Sequence, residues 1–244
     1  ERDRESLDAW QEVLQIDTRD IDALRAVCAL YRKLQQPDDL VETLHRLIEA
    51  GLLSNMGVDE IREAYAELGK LYGETLMRPN EAIDSWRKVF EYNKKDFRAL
   101  KALEGLFVQE ARWEDAVDVI EKRVKLLESP ADKITELLKA AKIWEESVED
   151  AAAAADAYER VLQIDKHNLT ASQALENIYR ARGSWSQLSE LLLARVEFPN
   201  FTPHQRIEAY QAIARIYEDN MSDRESAFVV LQAAFREDYS VDST

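Results

Sequence analysis

Apolar residues recur along most of the chain at the i, i+3, i+4, i+7 spacing of an amphipathic helix. Six of these apolar sets end in an aromatic residue, and the six are Tyr31, Tyr72, Phe107, Trp144, Tyr179 and Tyr217. Their spacing is nearly regular, and a second apolar set of helical spacing follows each of them. The pattern therefore predicts a row of helical hairpins, each about 35–38 residues long.

A longer period is superimposed on this one. The segment "LDAWQEVLQID" at 7–17 is followed by "IDSWRKVFEYN" at 83–93 and "ADAYERVLQID" at 155–165. The equivalent aromatic residues of the three copies are Trp10, Trp86 and Tyr158, so this period is about twice the length of one hairpin. Each copy is the second helix of every other hairpin, and two hairpin types therefore alternate along the chain.

The boundaries of the hairpins follow from these periods and from turn residues. We expect one all-α array over 1–244 with about thirteen helices and no internal linker. Because the chain begins inside a repeat, we interpret it as a piece of a longer array. The predicted units are 1–19 (the second helix of an incomplete repeat) and hairpins at 20–54, 58–95, 96–129, 130–167, 168–200 and 203–239.

Two helix starts carry a clear capping signal. Ser129-Pro130 and Thr202-Pro203 each place a capping residue before a proline at the first helical position. Thr202 with Gln205 also fits a capping box. These signals predict that new helices begin at Pro130 and Pro203.

The segment "YAELGKLYGETLMRPNEAIDSWRKVF" at 65–90 resembles a tetratricopeptide repeat (TPR), a helical hairpin of about 34 residues. The positions that carry the resemblance are Tyr65, Leu68, Gly69, Tyr72, Ala82, Trp86 and Val89. The resemblance extends over essentially the whole chain with more degenerate matches. It implies a right-handed superhelical α-solenoid. The closing proline of the family is absent and hairpin lengths vary, so the related half-a-TPR repeats remain an alternative within the same fold.

Composition and charge narrow the range of possible functions. The chain has 244 residues, a formal net charge of −16 and one cysteine. A strongly acidic protein repels a polyanion, so direct nucleic-acid binding is not expected. One cysteine excludes an intramolecular disulfide, and no apolar run reaches the ~18 residues of a membrane helix. We expect a cytoplasmic location and no insertion into a membrane.

No catalytic constellation is visible. His45, His167 and His204 lie on different hairpins, and the glycines are scattered rather than grouped in a phosphate-binding loop. Cys28 lies on an apolar helix face, which is typical of a packed thiol. We therefore expect a protein that is not an enzyme and that has no catalytic residue, cofactor or metal.

Two hairpins carry a pair of charged residues at positions where apolar residues are expected. In the TPR family the two helices of a hairpin approach most closely at one small residue on each. At these positions the third hairpin has Glu104 and Arg123, and the fifth has Glu176 and Arg195. A lone charge in such a place is costly, whereas a matched pair is tolerated. We therefore predict the ion pairs Glu104–Arg123 and Glu176–Arg195. The alternative is that these long side chains extend to solvent and never meet.

The resemblance also indicates a binding surface, because first helices line the concave side of a TPR array and this side usually holds the ligand. The positions carried over contain seven bases, which are Arg25, Lys70, Arg98, Lys101, Lys139, Lys142 and Arg215. They contain four acids, which are Asp22, Glu63, Glu67 and Glu208. The middle hairpins supply Arg98, Lys101, Lys139 and Lys142 without an acid. We call these four the central basic cluster, and Asn177 and Arg180 lie beyond it.

The function predicted from these features is a protein-interaction scaffold that holds a partner peptide or helix, acidic or mixed in charge, in its concave groove. The carboxylate clamp known from the TPR family is not supported, because Gly105 stands where an asparagine should accompany Lys101. One alternative is a structural spacer, or a self-assembling segment that associates through the array ends around Leu7, Trp10 and Leu14. A second alternative is an RNA-processing scaffold of the half-a-TPR kind.

Overall fold

The protein is all-helical. Its structure, a computed structural model, describes residues 2–199 and 201–241. Within these ranges there are thirteen α-helices and no β-strand. The predicted fold class and number of helices are confirmed.

The chain divides into two compact units, Glu1–Leu126 and Leu127–Thr244. In the described part of the first unit a single helix precedes three hairpins. Its helices are α1 (Arg2–Ile16), α2 (Ile21–Leu34), α3 (Pro37–Leu53), α4 (Val58–Lys70), α5 (Pro79–Tyr92), α6 (Phe97–Gln109) and α7 (Trp113–Leu126). Each helix packs on the one before it, so the core is a row of contacts between chain neighbours.

The second unit contains three further hairpins within the described residues. Its helices are α8 (Pro130–Lys142), α9 (Ala151–Ile164), α10 (Leu169–Arg182), α11 (Trp185–Val196), α12 (Pro203–Arg215) and α13 (Arg224–Val241). Here too each helix packs on its predecessor within the unit. We call the even-numbered helices of both units first helices and their odd-numbered partners second helices. A single array over 1–244 stays a prediction.

Side-chain caps fix where the helices begin. The Asp20 carboxylate accepts a hydrogen bond from the Ala23 amide at 2.8 Å, and the Asn168 side chain accepts one from Ala171 at 3.1 Å. At the start of α12 Thr202 and Gln205 form both bonds of the predicted capping box. These bonds satisfy amide groups that have no partner inside the helix.

Three first helices end differently from the others. α4, α8 and α12 continue as π-helical segments at Leu71–Thr75, Ile143–Val148 and Ile216–Asn220. The Leu76 amide, for example, donates to the Leu71 carbonyl five positions earlier at 2.9 Å. The segments occur in every second hairpin, so they account for the alternation of two hairpin types. The apolar pattern did not predict them.

Gly69 of α4 packs closely against Trp86 of α5 in the second hairpin. A Cβ atom on Gly69 would lie 2.6 Å from the Trp86 indole nitrogen. Trp86 is itself buried, so its ring has little room to move. By contrast, a Cβ atom on Gly105 in α6 would have nothing within 4 Å.

We therefore expect Gly69→Ala and Gly105→Ala to act in opposite directions. Gly69→Ala should lower the free energy of unfolding by about 1–3 kcal/mol, because the methyl group overpacks the helix contact. Gly105→Ala should raise it by about 0.5–1 kcal/mol, because alanine loses less entropy in a helix. Urea unfolding followed by circular dichroism measures both, and a gain in stability for Gly69→Ala would contradict the close contact.

Candidate functional site

Charged side chains meet at the two helix contacts where the sequence places them. Arg123 of α7 donates a hydrogen bond from Nη2 to Oε2 of Glu104 on α6, and the two side chains are 9% and 12% exposed. Arg195 Nη1 of α11 lies 2.5 Å from Glu176 Oε2 of α10, with exposures of 23% and 18%. The structure therefore brings each pair together, and the first pair is the more deeply buried.

Glu176 of the second pair has a further cation close by and is more exposed than Glu104. Glu176 accepts a second hydrogen bond from Arg180 one turn later, at 2.8 Å. Loss of Arg195 would therefore leave this carboxylate with a second cation and with partial access to water. Burial in the α6–α7 contact makes the charge of Glu104 depend more strongly on its arginine.

Matched substitutions test this difference. Arg123→Met should lower the free energy of unfolding by about 3–5 kcal/mol, because it removes the cation of a buried pair. Arg195→Met should lower the free energy of unfolding clearly less, since Glu176 keeps its contacts with Arg180 and with solvent. Thermal unfolding of both variants beside the parent measures this, and equal shifts would contradict it. The double variant Glu104→Leu/Arg123→Met should recover most of the loss, because no buried charge remains.

Further arginine–glutamate pairs join neighbouring first helices of the first unit. Arg25 of α2 donates from Nε and Nη2 to both carboxylate oxygens of Glu60 on α4, at 2.6 and 2.7 Å. Arg32 of α2 holds Glu67 of α4 in the same two-point manner at 2.5 and 2.6 Å. The two members of each pair are separated by one hairpin length, so each pair links equivalent faces of successive hairpins.

The third pair of this kind involves the central basic cluster. Arg98 of α6 donates to both carboxylate oxygens of Glu63 on α4, at 2.7 and 3.1 Å. It also lies 3.0 Å from the Asp96 carboxylate that caps its own helix. The guanidinium of Arg98 lowers the pKa of Glu63, as Arg25 lowers that of Glu60. Arg25 and Arg98 therefore make architectural contacts that sequence reasoning did not anticipate.

The other predicted groove residues fall into two groups. Lys139 lies 3.7 Å from Glu136 one turn earlier, and Arg180 is held by Glu176. The rest are exposed and make no ion pair with any described residue, and they are Lys70, Lys101, Lys142, Asn177 and Arg215. Lys70 and Lys101 belong to the first unit and the others to the second. In the first unit the lysines are thus the available cations of the first-helix face.

Among the described residues no three histidine, cysteine or acidic side chains are placed to hold a metal ion. The Cys28 thiol is buried, and burial raises its pKa to about 11. Such a sulfur stays protonated at neutral pH and is a poor nucleophile. In the described part of the chain no helix is both long and apolar enough to cross a bilayer.

On α1, the three residues of the predicted association surface differ in exposure. Leu7 and Leu14 of α1 are buried in the core of the first unit, whereas Trp10 is 38% exposed. The predicted association surface around these three residues is therefore reduced to the tryptophan. On α13, by contrast, Phe228 and Leu231 are exposed.

Comparison with known proteins supports the assignment of the fold. No protein-family model matches the chain, and no curated protein matches it either. Solved structures do match, among them that of Naa15/Naa10 bound to HypK-THB, at 14% identity and a TM-score of 0.54. The match covers 93% of this chain and 35% of that one. The chain has a TPR-like helical-repeat fold.

Two other solved structures are similar to the chain at lower TM-scores. The crystal structure of MamA is 20% identical, with 75% of this chain and 94% of that chain covered and a TM-score of 0.39. YrrB, described as a TPR protein with an unusual peptide-binding site, is 16% identical, with 75% and 91% covered and a TM-score of 0.38. At these identities the likeness concerns the fold alone.

Proposed function

We propose that the protein is a non-enzymatic interaction scaffold that binds an acidic peptide or helix of a partner protein on its first helices. The observation that carries the proposal is the contrast between arginines and lysines on the first-helix face of the first unit. Arg25, Arg32 and Arg98 are engaged by glutamates, whereas Lys70 and Lys101 are exposed without an ion pair among the described residues.

Pairing changes the electrostatic character of this face. The acids of α4 in the predicted groove, Glu63 and Glu67, pair with arginines of the neighbouring first helices, as Glu60 of α4 does with Arg25. The cations of this face that make no ion pair with a described residue are Lys70 and Lys101. In a protein of net charge −16 such a surface attracts an acidic segment while the rest of the molecule repels it.

The contact between the faces of α4 and α6 supports a continuous platform. Glu63, Glu67 and Lys70 follow each other at the i, i+4, i+7 spacing of one helix face, and Arg98 and Lys101 at i, i+3. The Arg98–Glu63 pair holds these two faces side by side. An extended or helical acidic segment of a partner could therefore contact both lysines.

A spacer or self-assembling segment is the second candidate. The observation that favours it is the exposed apolar face of α13 at Phe228, Val229 and Leu231. The location in the cytoplasm and the absence of direct nucleic-acid contact stay predictions from the sequence.

Charge reversal at the two lysines tests the first candidate. We expect Lys70→Glu/Lys101→Glu to weaken binding of a fluorescent peptide of glutamate, aspartate and leucine roughly tenfold, equivalent to about 1.4 kcal/mol. The matched control is Lys95→Glu/Lys125→Glu, which makes the same charge change at exposed positions outside the first-helix face. Fluorescence anisotropy measures the affinity, and circular dichroism shows that both variants are folded.

Arg98 is left unchanged in this test because a glutamate there would face Glu63 and Asp96 and disturb the packing. Equal weakening in both double variants would mean that only the net charge matters. A parent protein that does not bind the peptide would contradict the proposal. Self-association in sedimentation experiments would then favour the second candidate.

A further inference from the structure

The second unit contains an open cleft that the predicted groove residues do not explain. It lies between α9, α10 and α11 and has a volume of about 550 Å³. Its apolar wall is formed by Leu162 of α9, Leu175 of α10, and Leu191 and Ala194 of α11. The cleft therefore lies mainly between second helices, away from the first-helix face of the proposed function.

Carboxylates surround this apolar wall. Glu159 lies on α9, and Glu190 and Glu197 lie along or just after α11, against one lysine, Lys166. Glu190 and Glu197 are exposed and make no ion pair with any residue that the structure describes. Glu159 accepts a hydrogen bond from the buried Tyr179 hydroxyl, which holds its carboxylate at the cleft.

The equivalent place in the first unit, two hairpins earlier along the chain, has a different composition. Phe90 stands at the position of Leu162, and its ring has the ammonium groups of Lys94 and Lys122 at 4.9 and 5.9 Å from its centre. Lys122 is the counterpart of Ala194. A large ring and a long side chain thus occupy the place where the second unit has a smaller leucine and an alanine.

Two of the three cleft carboxylates have basic counterparts in the first unit, and the third has an acidic one. Arg87 is the counterpart of Glu159, and it packs with its guanidinium 5.6 Å from the Phe107 ring centre. Lys125 is the counterpart of Glu197. Two equivalent surfaces of one repeat fold have therefore diverged, one covered by its own basic side chains and the other open and acidic.

The residues that line the open cleft indicate which side chains of a partner would fit it. An aliphatic wall beside carboxylates fits side chains with an apolar stem and a cationic end, as in lysine and arginine. Both parts are needed, because exposed charge pairs alone contribute little to binding. A leucine or isoleucine on the apolar wall would supply burial of apolar surface.

We propose that the α9–α11 cleft binds a basic amphipathic segment of a partner protein, with an aliphatic side chain on Leu162 and Leu191 and a lysine or arginine against Glu190 and Glu197. This site would act in addition to the first-helix face and has the opposite charge preference. The two surfaces could therefore hold different segments at the same time.

The test uses a designed helical peptide of alanine, leucine and lysine, and a second peptide in which every lysine is replaced by glutamate. The first should bind and the second should not. In methyl NMR spectra the lysine peptide should shift the signals of Leu162 and Leu191. Signals shifted only elsewhere, or equal binding of both peptides, would overturn the proposal.

A variant that copies the first unit provides the decisive comparison. Ala194→Lys/Glu197→Lys installs the residues found at Lys122 and Lys125 and should weaken binding of the lysine peptide by about tenfold, or about 1.4 kcal/mol. The control Ala9→Lys/Glu49→Lys makes the same two kinds of change at exposed positions of the first unit. Equal affinity of the two variants would overturn the proposal, whereas the acidic-peptide experiment on Lys70 and Lys101 is unaffected by either result.

Discussion

Glutamate and arginine side chains join helices at two kinds of place in this protein. Inside hairpins they lie in the contact between the two helices, as Glu104 and Arg123 do. Between successive first helices they form two-point pairs such as Arg98–Glu63. The buried Glu104–Arg123 pair makes the structure intolerant of losing one partner, although an apolar pair of similar volume could be as stable. The exposed pairs contribute little energy each, but they fix which charges of the surface are already compensated.

This division of roles between arginine and lysine determines what the surface can bind. On the first-helix face of the first unit, Arg25, Arg32 and Arg98 match carboxylates at two points within the fold. The compact ammonium groups of Lys70 and Lys101 are left for solvent or a partner. The second unit shows the complementary case at its α9–α11 cleft, where acids rather than bases remain available. One repeat fold can thus present surfaces of opposite preference, because few positions outside the core decide the charge.

The helices, their caps and the charged helix contacts could be predicted from the sequence. Their signals, apolar periodicity and capping residues, are local and involve residues only three or four positions apart. The capping box of Thr202 and Gln205 is confirmed for this reason. The pairing of Arg98 with Glu63 could not be foreseen, because it depends on how one hairpin rotates against the next and on side-chain rotamers. The π-helical ends of α4, α8 and α12 were missed because one extra residue in a helix leaves the apolar pattern nearly unchanged. The cleft could not be predicted from the sequence, because it depends on how the side chains of α9, α10 and α11 pack against one another.

The most direct test of this account is an NMR titration of the Glu63 side-chain carboxyl in the parent protein and in Arg98→Gln. The account predicts a pKa below the ordinary value of 4.5 in the parent, because the Arg98 guanidinium favours the ionised form. In the variant the pKa should rise toward that value. An ordinary pKa in the parent, or one that Arg98→Gln leaves unchanged, would show that Arg98 is not held by Glu63.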